Sequence, residues 1–181
     1  MQVAEMMTRD VAICHPETTL ARAAWTMWER DCGLLVVVSE EKVVGVITDR
    51  DIAMALATRP RPAHEIHVGE VQGGVLQAVQ PGDDVARAME LLAEHRLRRL
   101  PVVDVDGRLQ GILALSDLIQ ATQKVQGDTA DDISFLDVVG VLKAVTRPRT
   151  KEREHREEPS EPRSRAREVR GARKRVSPSG S

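Results

Sequence analysis

The residues Thr48-Asp49-Arg50-Asp51 carry the chemistry most readily placed in this sequence. They follow Gly45-Val46-Ile47, where an extended run gives way to a helix. A helix start offers free N–H donors and the positive end of the backbone dipole, which suits a phosphate. The Thr48 hydroxyl adds a donor on that turn. The Asp51 carboxylate, three residues on, can accept hydrogen bonds from a ribose diol. Arg50 supplies positive charge to offset phosphate, and Gly45 lets the backbone be approached closely. The same spacing is nearly a capping box, with Asp in place of Glu or Gln, and any helix can begin so. Both readings stand at this point.

The turn recurs because the chain is a repeat. A shift of 65 residues places Val68-Gly69-Glu70 on Val3-Ala4-Glu5, Pro81 on Pro16, Ala86-Arg87-Ala88 on Ala21-Arg22-Ala23, and Val102-Val103 on Val37-Val38. After a one-residue change in a turn the shift becomes 66, and Gly111 falls on Gly45 and Asp117 on Asp51. Matches in order along the whole unit mark two copies of one fold element.

Each copy spells β-α-β-β-α. A short extended stretch, Val11–His15 or Leu76–Gln80, precedes a Pro and a polar cap, Thr18-Thr19 or Asp83-Asp84. A helix then runs to about Arg30 or Arg96, with Val85, Ala88, Met89, Leu92 and Ala93 spaced as one buried face. A hairpin follows: Leu34–Val38 and Val43–Ile47 around Glu40-Glu41-Lys42, or Leu100–Val105 and Leu109–Leu113 around Asp106-Gly107. A second helix begins near Thr48 or Ser116. The fold class is α+β: two βαββα repeats packed as a pseudo-twofold pair, since one such unit has a thin core and two can bury a continuous one.

The expected organisation is repeat 1 over residues 1–60, a linker over 61–67, repeat 2 over 68–124, a C-terminal helix over 129–146 and a tail over 147–181. His64-Glu65-Ile66-His67 lacks HExxH spacing, and prolines flank it, so it reads as solvated linker rather than a metal site. The C-terminal helix is expected to present Ile133, Leu136, Val139, Val141 and Leu142 as a stripe, capped by Asp128, Thr129 or Asp131. Packing back on the core is favoured for it over a dimer contact.

Charge divides the chain. Residues 147–181 hold 12 Lys+Arg against 6 Asp+Glu, or +6, whereas residues 1–146 hold 14 against 22, or −8. The tail has too few apolar residues to repay its ordering and is expected to be disordered. Its basic stretch Arg163–Arg175 reads first as a solvating tail, with salt-dependent contact to nucleic acid, anionic lipid or an acidic partner as the alternative. Two distant cysteines, Cys14 and Cys32, fit a reducing, cytoplasmic compartment. No run is long enough to span a bilayer, and the start of the chain does not read as a signal peptide.

As a set, the tandem βαββα unit, the Gly-x-Ile-Thr-x-x-Asp turn and the Arg-Arg-Leu-Pro-Val-Val strand entry resemble CBS domains. Two in tandem form the pair called a Bateman module, and Thr-Asp-Arg-Asp-Ile is similar to stand-alone bacterial CBS pairs of the hypoxic-response type. The resemblance implies clefts between the units that bind AMP, ADP or ATP, or in some members S-adenosylmethionine, and further association into a homodimer. It carries the hydroxyl and ribose positions onto Thr48 and Asp51, and the ribose position onto Asp117. Ala114 stands where a second hydroxyl belongs; Ser116, two positions on, is expected to cap the helix. One competent site and a weak or empty second one follow. The resemblance lays the adenine against the first strand, so Ile13, Cys14 and His15 are candidate wall residues, with plain strand packing as the alternative. Arg98 and Arg99 are candidates to reach phosphates.

Three functions compete: a regulatory adenine-nucleotide sensor acting on an unknown protein target, a ligand-free dimerisation scaffold, and a nucleic-acid accessory working through its tail. No nucleophile elbow, P-loop, metal cluster or catalytic carboxylate pair favours an enzyme.

Overall fold

The computed structural model describes residues 1–72, 75–124 and 134–147. The first repeat contains β1 (Ile13–Cys14), α1 (Leu20–Glu29), β2 (Leu34–Ser39), β3 (Lys42–Thr48) and α2 (Asp49–Thr58). The second contains α3 (Val85–His95), β4 (Arg99–Val103), β5 (Leu109–Ala114) and α4 (Leu115–Lys124), and α5 (Phe135–Thr146) follows. Residues 148–181 of the basic tail lie outside the described residues.

In the first sheet β1 runs parallel to β2, which pairs antiparallel with β3. The expected strand Leu76–Gln80 shrinks to one parallel bridge, Val79 to Val102. Pro101 accounts for this. In the first repeat Val36 N–H donates to Ala12 O at 3.1 Å. Pro101 occupies the position of Val36 and has no N–H to give, so that rung is missing.

The helices begin as their caps dictate. Thr19 accepts from Arg22 N–H at 3.3 Å and Asp84 from Ala86 N–H at 2.8 Å. Leu20, Ala23 and Met27 of α1 are buried, as are Val85, Ala88, Leu91 and Leu92 of α3. In the first hairpin Glu40 and Glu41 both take left-handed backbone, φ 48° and 64°. The second hairpin turns at Gly107 (φ 83°), with the Asp104 carboxylate accepting from Asp106 and Arg108 N–H groups at 3.0 and 2.8 Å.

The two cores exchange their leading segments. Val3 and Met7 start the chain yet lie in the core of the second repeat, with Leu92, Leu100 and Leu113. Ile66 and Val68 lie in the core of the first, with Leu20, Leu35 and Ile47. The backbone repeats the exchange bond for bond. Val3 N donates to Asp83 O (3.0 Å) and Ala4 N to Pro81 O (2.9 Å), as Val68 N does to Thr18 O and Gly69 N to Pro16 O, both at 2.8 Å. The supposed linker is therefore partly core. Ile66 is fully buried, and burying such a side chain contributes about 1.5–3 kcal/mol.

α5 packs on α3 and α4. Its buried residues are Val138 and Val141, whereas Leu136 of the expected stripe is 78% exposed. Its cap is Ser134, whose hydroxyl donates to Asp137 at 2.6 Å and accepts from Asp137 N–H at 3.2 Å. The expected caps Asp128, Thr129 and Asp131, and Ile133 of the stripe, lie outside the described residues.

Candidate functional site

Strand register sorts the first repeat's candidates. Ile13 pairs with Val36, and Val36 with Val46. Side chains in register share a face and alternate along each strand, so Ile13, Val36, Val46 and Thr48 share one face. Cys14, Val37, Gly45 and Ile47 share the other, which packs on the helices: Cys14, Val37 and Ile47 are in the core. Cys14 is thus a core residue and not on the face shared by Ile13 and Thr48. Burial, with a smaller contribution from Glu17, pushes its thiol up to about 11. Gly45 also turns toward the core. A Cβ there would sit 3.2 Å from Gln72 Oε1, so the close approach serves internal packing. His15 is exposed, and its Nδ1 donates to Val38 O at 2.8 Å.

At the start of α2 the capping box is complete. Thr48 Oγ1 donates to Asp51 Oδ2 at 2.6 Å, Thr48 N–H donates to the same oxygen at 3.0 Å, and Asp51 N–H donates to Thr48 Oγ1 at 3.2 Å. The hydroxyl proton therefore goes to Asp51, and Asp51 Oδ1 takes no part in these bonds. Arg50 is exposed beside them.

The second repeat does the same work without a hydroxyl. Ala114 N–H donates to Asp117 Oδ2 at 2.8 Å, and Leu115 N–H donates to Arg98 O at 2.9 Å. α4 begins at Leu115, so Ser116 lies within its first turn, exposed, and is not the cap. Arg98 and Arg99 are both exposed. Arg99 pairs with Ala114, which puts the two on one sheet face.

Asp117 lines a cavity of about 380 Å³ with Gln120 and Ala121 of α4 and with Met1, Glu5, Met6 and Thr8 of the exchanged segment. Thr8 is fixed there by two bonds with Ile112, each 2.9 Å. The sequence reading missed Glu5, Met6 and Thr8, because nothing in the repeat pattern says that the leading segment crosses over. Among the described residues no group of three or more His, Cys, Asp or Glu is arranged to hold a metal ion.

Two hairpins flanked by helices, with a carboxylate reaching back at the start of each second helix, define a tandem βαββα repeat. The family model for the CBS domain matches residues 3–58 and 69–124, and the chain belongs to the CBS domain family. It is similar to the CBS domain-containing protein YhcV of Bacillus subtilis, with 34% identity over 138 residues, 75% of this chain and 97% of that one. Among solved structures it is similar to Hypoxic Response Protein I with two coordinated zinc ions: 26% identity, TM-score 0.61, covering 66% of this chain and 98% of that one. It is also similar to CBSX2 in complex with AMP: 27% identity, TM-score 0.60, covering 70% of this chain and 98% of that one.

Proposed function

We propose that this chain is a regulatory, non-catalytic CBS pair that binds an adenine nucleotide of the AMP, ADP or ATP type and changes its partner or oligomer contacts in response. The observation that carries the reading is the cavity at Asp117. It offers a carboxylate for a ribose diol, Met1, Met6 and Ala121 as apolar surface for a base, and a wall taken from the other end of the chain. The similar protein CBSX2 is described in complex with AMP, which supports the ligand class. Ligand on both walls stabilises the folded pair by mass action and shifts its populations.

Charge separates the two candidate sites. Arg50 stands beside Thr48 and Asp51, which favours a phosphorylated ligand there. Glu5 and Asp117 line the cavity of the second repeat and, among the described residues, no basic side chain does, which favours a ligand with little phosphate there, AMP or S-adenosylmethionine, over ATP. Action in the cytoplasm as a homodimer belongs to the same proposal; among the described residues no helix is long and apolar enough to cross a membrane.

Thermal denaturation of the full chain with AMP, ADP, ATP and S-adenosylmethionine tests it. A ligand at a hundred times its Kd adds about 2.7 kcal/mol, which raises Tm. Asp51→Asn should reduce the response to phosphorylated ligands and Asp117→Asn the response to S-adenosylmethionine. No rise in Tm with any of the four would refute the sensor reading.

A further inference from the structure

Among the described residues, α5 is packed on one side. Val138 and Val141 are buried in the core of the second repeat. The opposite side of the helix carries Leu136, Gly140 and Lys143 at i, i+4 and i+7, beside Phe135, Val139 and Leu142 at the same spacing. Phe135 is 66% exposed and Leu136 78%. A Cβ built on Gly140 would meet nothing within 4 Å. Apolar side chains that project together into solvent mark a surface with a partner.

The charges around this face name the partner. Lys143 stands in the last turn of α5, and Arg147 is its C-cap residue. Leu97 packs in the same core cluster as Val138 and Val141, and Arg96 and Arg98 flank it in the chain. All four cations are exposed and, among the described residues, none joins an ion pair. The only acid in α5, Asp137, is held by its own cap, Ser134. The basic border is particular to this half of the chain, since the shift of 65 puts Asp31 and Gly33 at the places of Arg96 and Arg98. Residues 147–181, which follow α5 in the chain, carry the same sign, +6. Cations beside projecting Phe and Leu suit a surface that is apolar within and anionic at its headgroups. A partner helix would ask for a groove, and Phe135 and Leu136 stand proud instead.

We infer that the outer side of α5 docks on an anionic lipid surface. Phe135, Leu136 and Leu142 enter the boundary between headgroups and acyl chains, and Lys143, Arg147, Arg96 and Arg98 meet the headgroups. α5 has 12 residues. That is about 18 Å of helix against a hydrocarbon core of about 30 Å, so it lies on the bilayer rather than through it. The residues differ from those of the nucleotide cavity, and the inference does not rest on that reading.

Co-sedimentation of the full chain with vesicles tests it. Phosphatidylcholine vesicles containing about one third phosphatidylserine should bind the chain about tenfold more tightly than phosphatidylcholine alone. Phe135→Glu and Leu136→Glu should each weaken binding about tenfold, since each removes apolar insertion and adds repulsion. Arg98→Ala and Lys143→Ala should each weaken it about fivefold. These positions are exposed, so circular dichroism should stay that of the wild type. Trp28→Glu, at an exposed apolar position of the first repeat, should change nothing. No pelleting with the anionic vesicles overturns the inference. So does binding that Phe135→Glu and Leu136→Glu leave intact, which would assign it to charge elsewhere in the chain. Capture of soluble poly-glutamate with the same sensitivity, and none of vesicles, would give the face to an acidic protein and overturn it as well. Thermal shifts with nucleotide are read separately, so either proposal can fail alone.

Discussion

The Thr48 hydroxyl donates to Asp51 across 2.6 Å, whereas Ala114, at the matching place in the second repeat, meets Asp117 only through its backbone N–H at 2.8 Å. One methyl group stands where a second hydroxyl would close the box. Ala114→Thr should supply it. A Thr cap in place of Ala stabilises by about 1 kcal/mol. Denaturant unfolding should show that gain, and an unchanged midpoint would mean that the hydroxyl cannot reach Asp117.

Gly45 and Gly111 are repeat equivalents with different neighbours. A Cβ at Gly111 would lie 2.8 Å from both Met7 Sδ and the Thr8 carbonyl oxygen. The carbonyl is held by the Ile112 bond and cannot retreat. Gly111→Ala should therefore cost about 1–3 kcal/mol. At Gly45 the obstacle is the Gln72 amide end at 3.2 Å, which can swing. Gly45→Ala should cost less. Equal losses in chemical denaturation would contradict this account.

Glu70 clasps the segment between the repeats. It takes a bond from Arg61 at 2.7 Å and from His67 N–H at 2.9 Å. The Arg61 bond first, then the His67 N–H, hold its carboxyl down from 4.5 to about 2. A lowered carboxyl stabilises the fold above its unfolded value and loses that contribution as pH falls through the folded one. Glu70→Gln should thus melt lower than wild type at neutral pH, with a gap that narrows below pH 4.5 and closes toward about 2. The pair is exposed, so added salt should narrow it too. Melting curves across that range check the sign; a gap that widens on acidification would reverse it.

Cys14 is 5% exposed with its thiol pushed up to about 11, and Cys32 is half-buried at the end of α1. Alkylation needs the thiolate and access to it. Mass spectrometry after brief iodoacetamide treatment should find the label on Cys32, and on Cys14 only after unfolding. Early label on Cys14 would place it on an open surface.

Much of this was readable from spacing. The internal repeat, a shift of 65 that becomes 66 after the hairpin turn, located both hairpins and both carboxylates, since alternation and capping chemistry are local. What escaped was nonlocal. Cys14 and Ile13 are neighbours in sequence, and only the β1–β2 register says which of them faces the helices. Ile66 sits among His and Pro residues that read as solvated linker, yet it is fully buried, because the hydrophobic partner it needs is Leu20 and not anything beside it. Ser116 reads as a cap because its hydroxyl, like the side chains of Thr, Asp and Asn, can accept from a helix's first N–H groups. The backbone of Arg98 and the carboxylate of Asp117 had already taken that role.

The crossed leading segments also set how a signal would travel. Thr8 borders the cavity of the second repeat, and five residues later the same strand of chain becomes β1 of the first. Under the proposed function, an occupant of that cavity touches a segment covalently continuous with β1. The halves are laced rather than merely stacked.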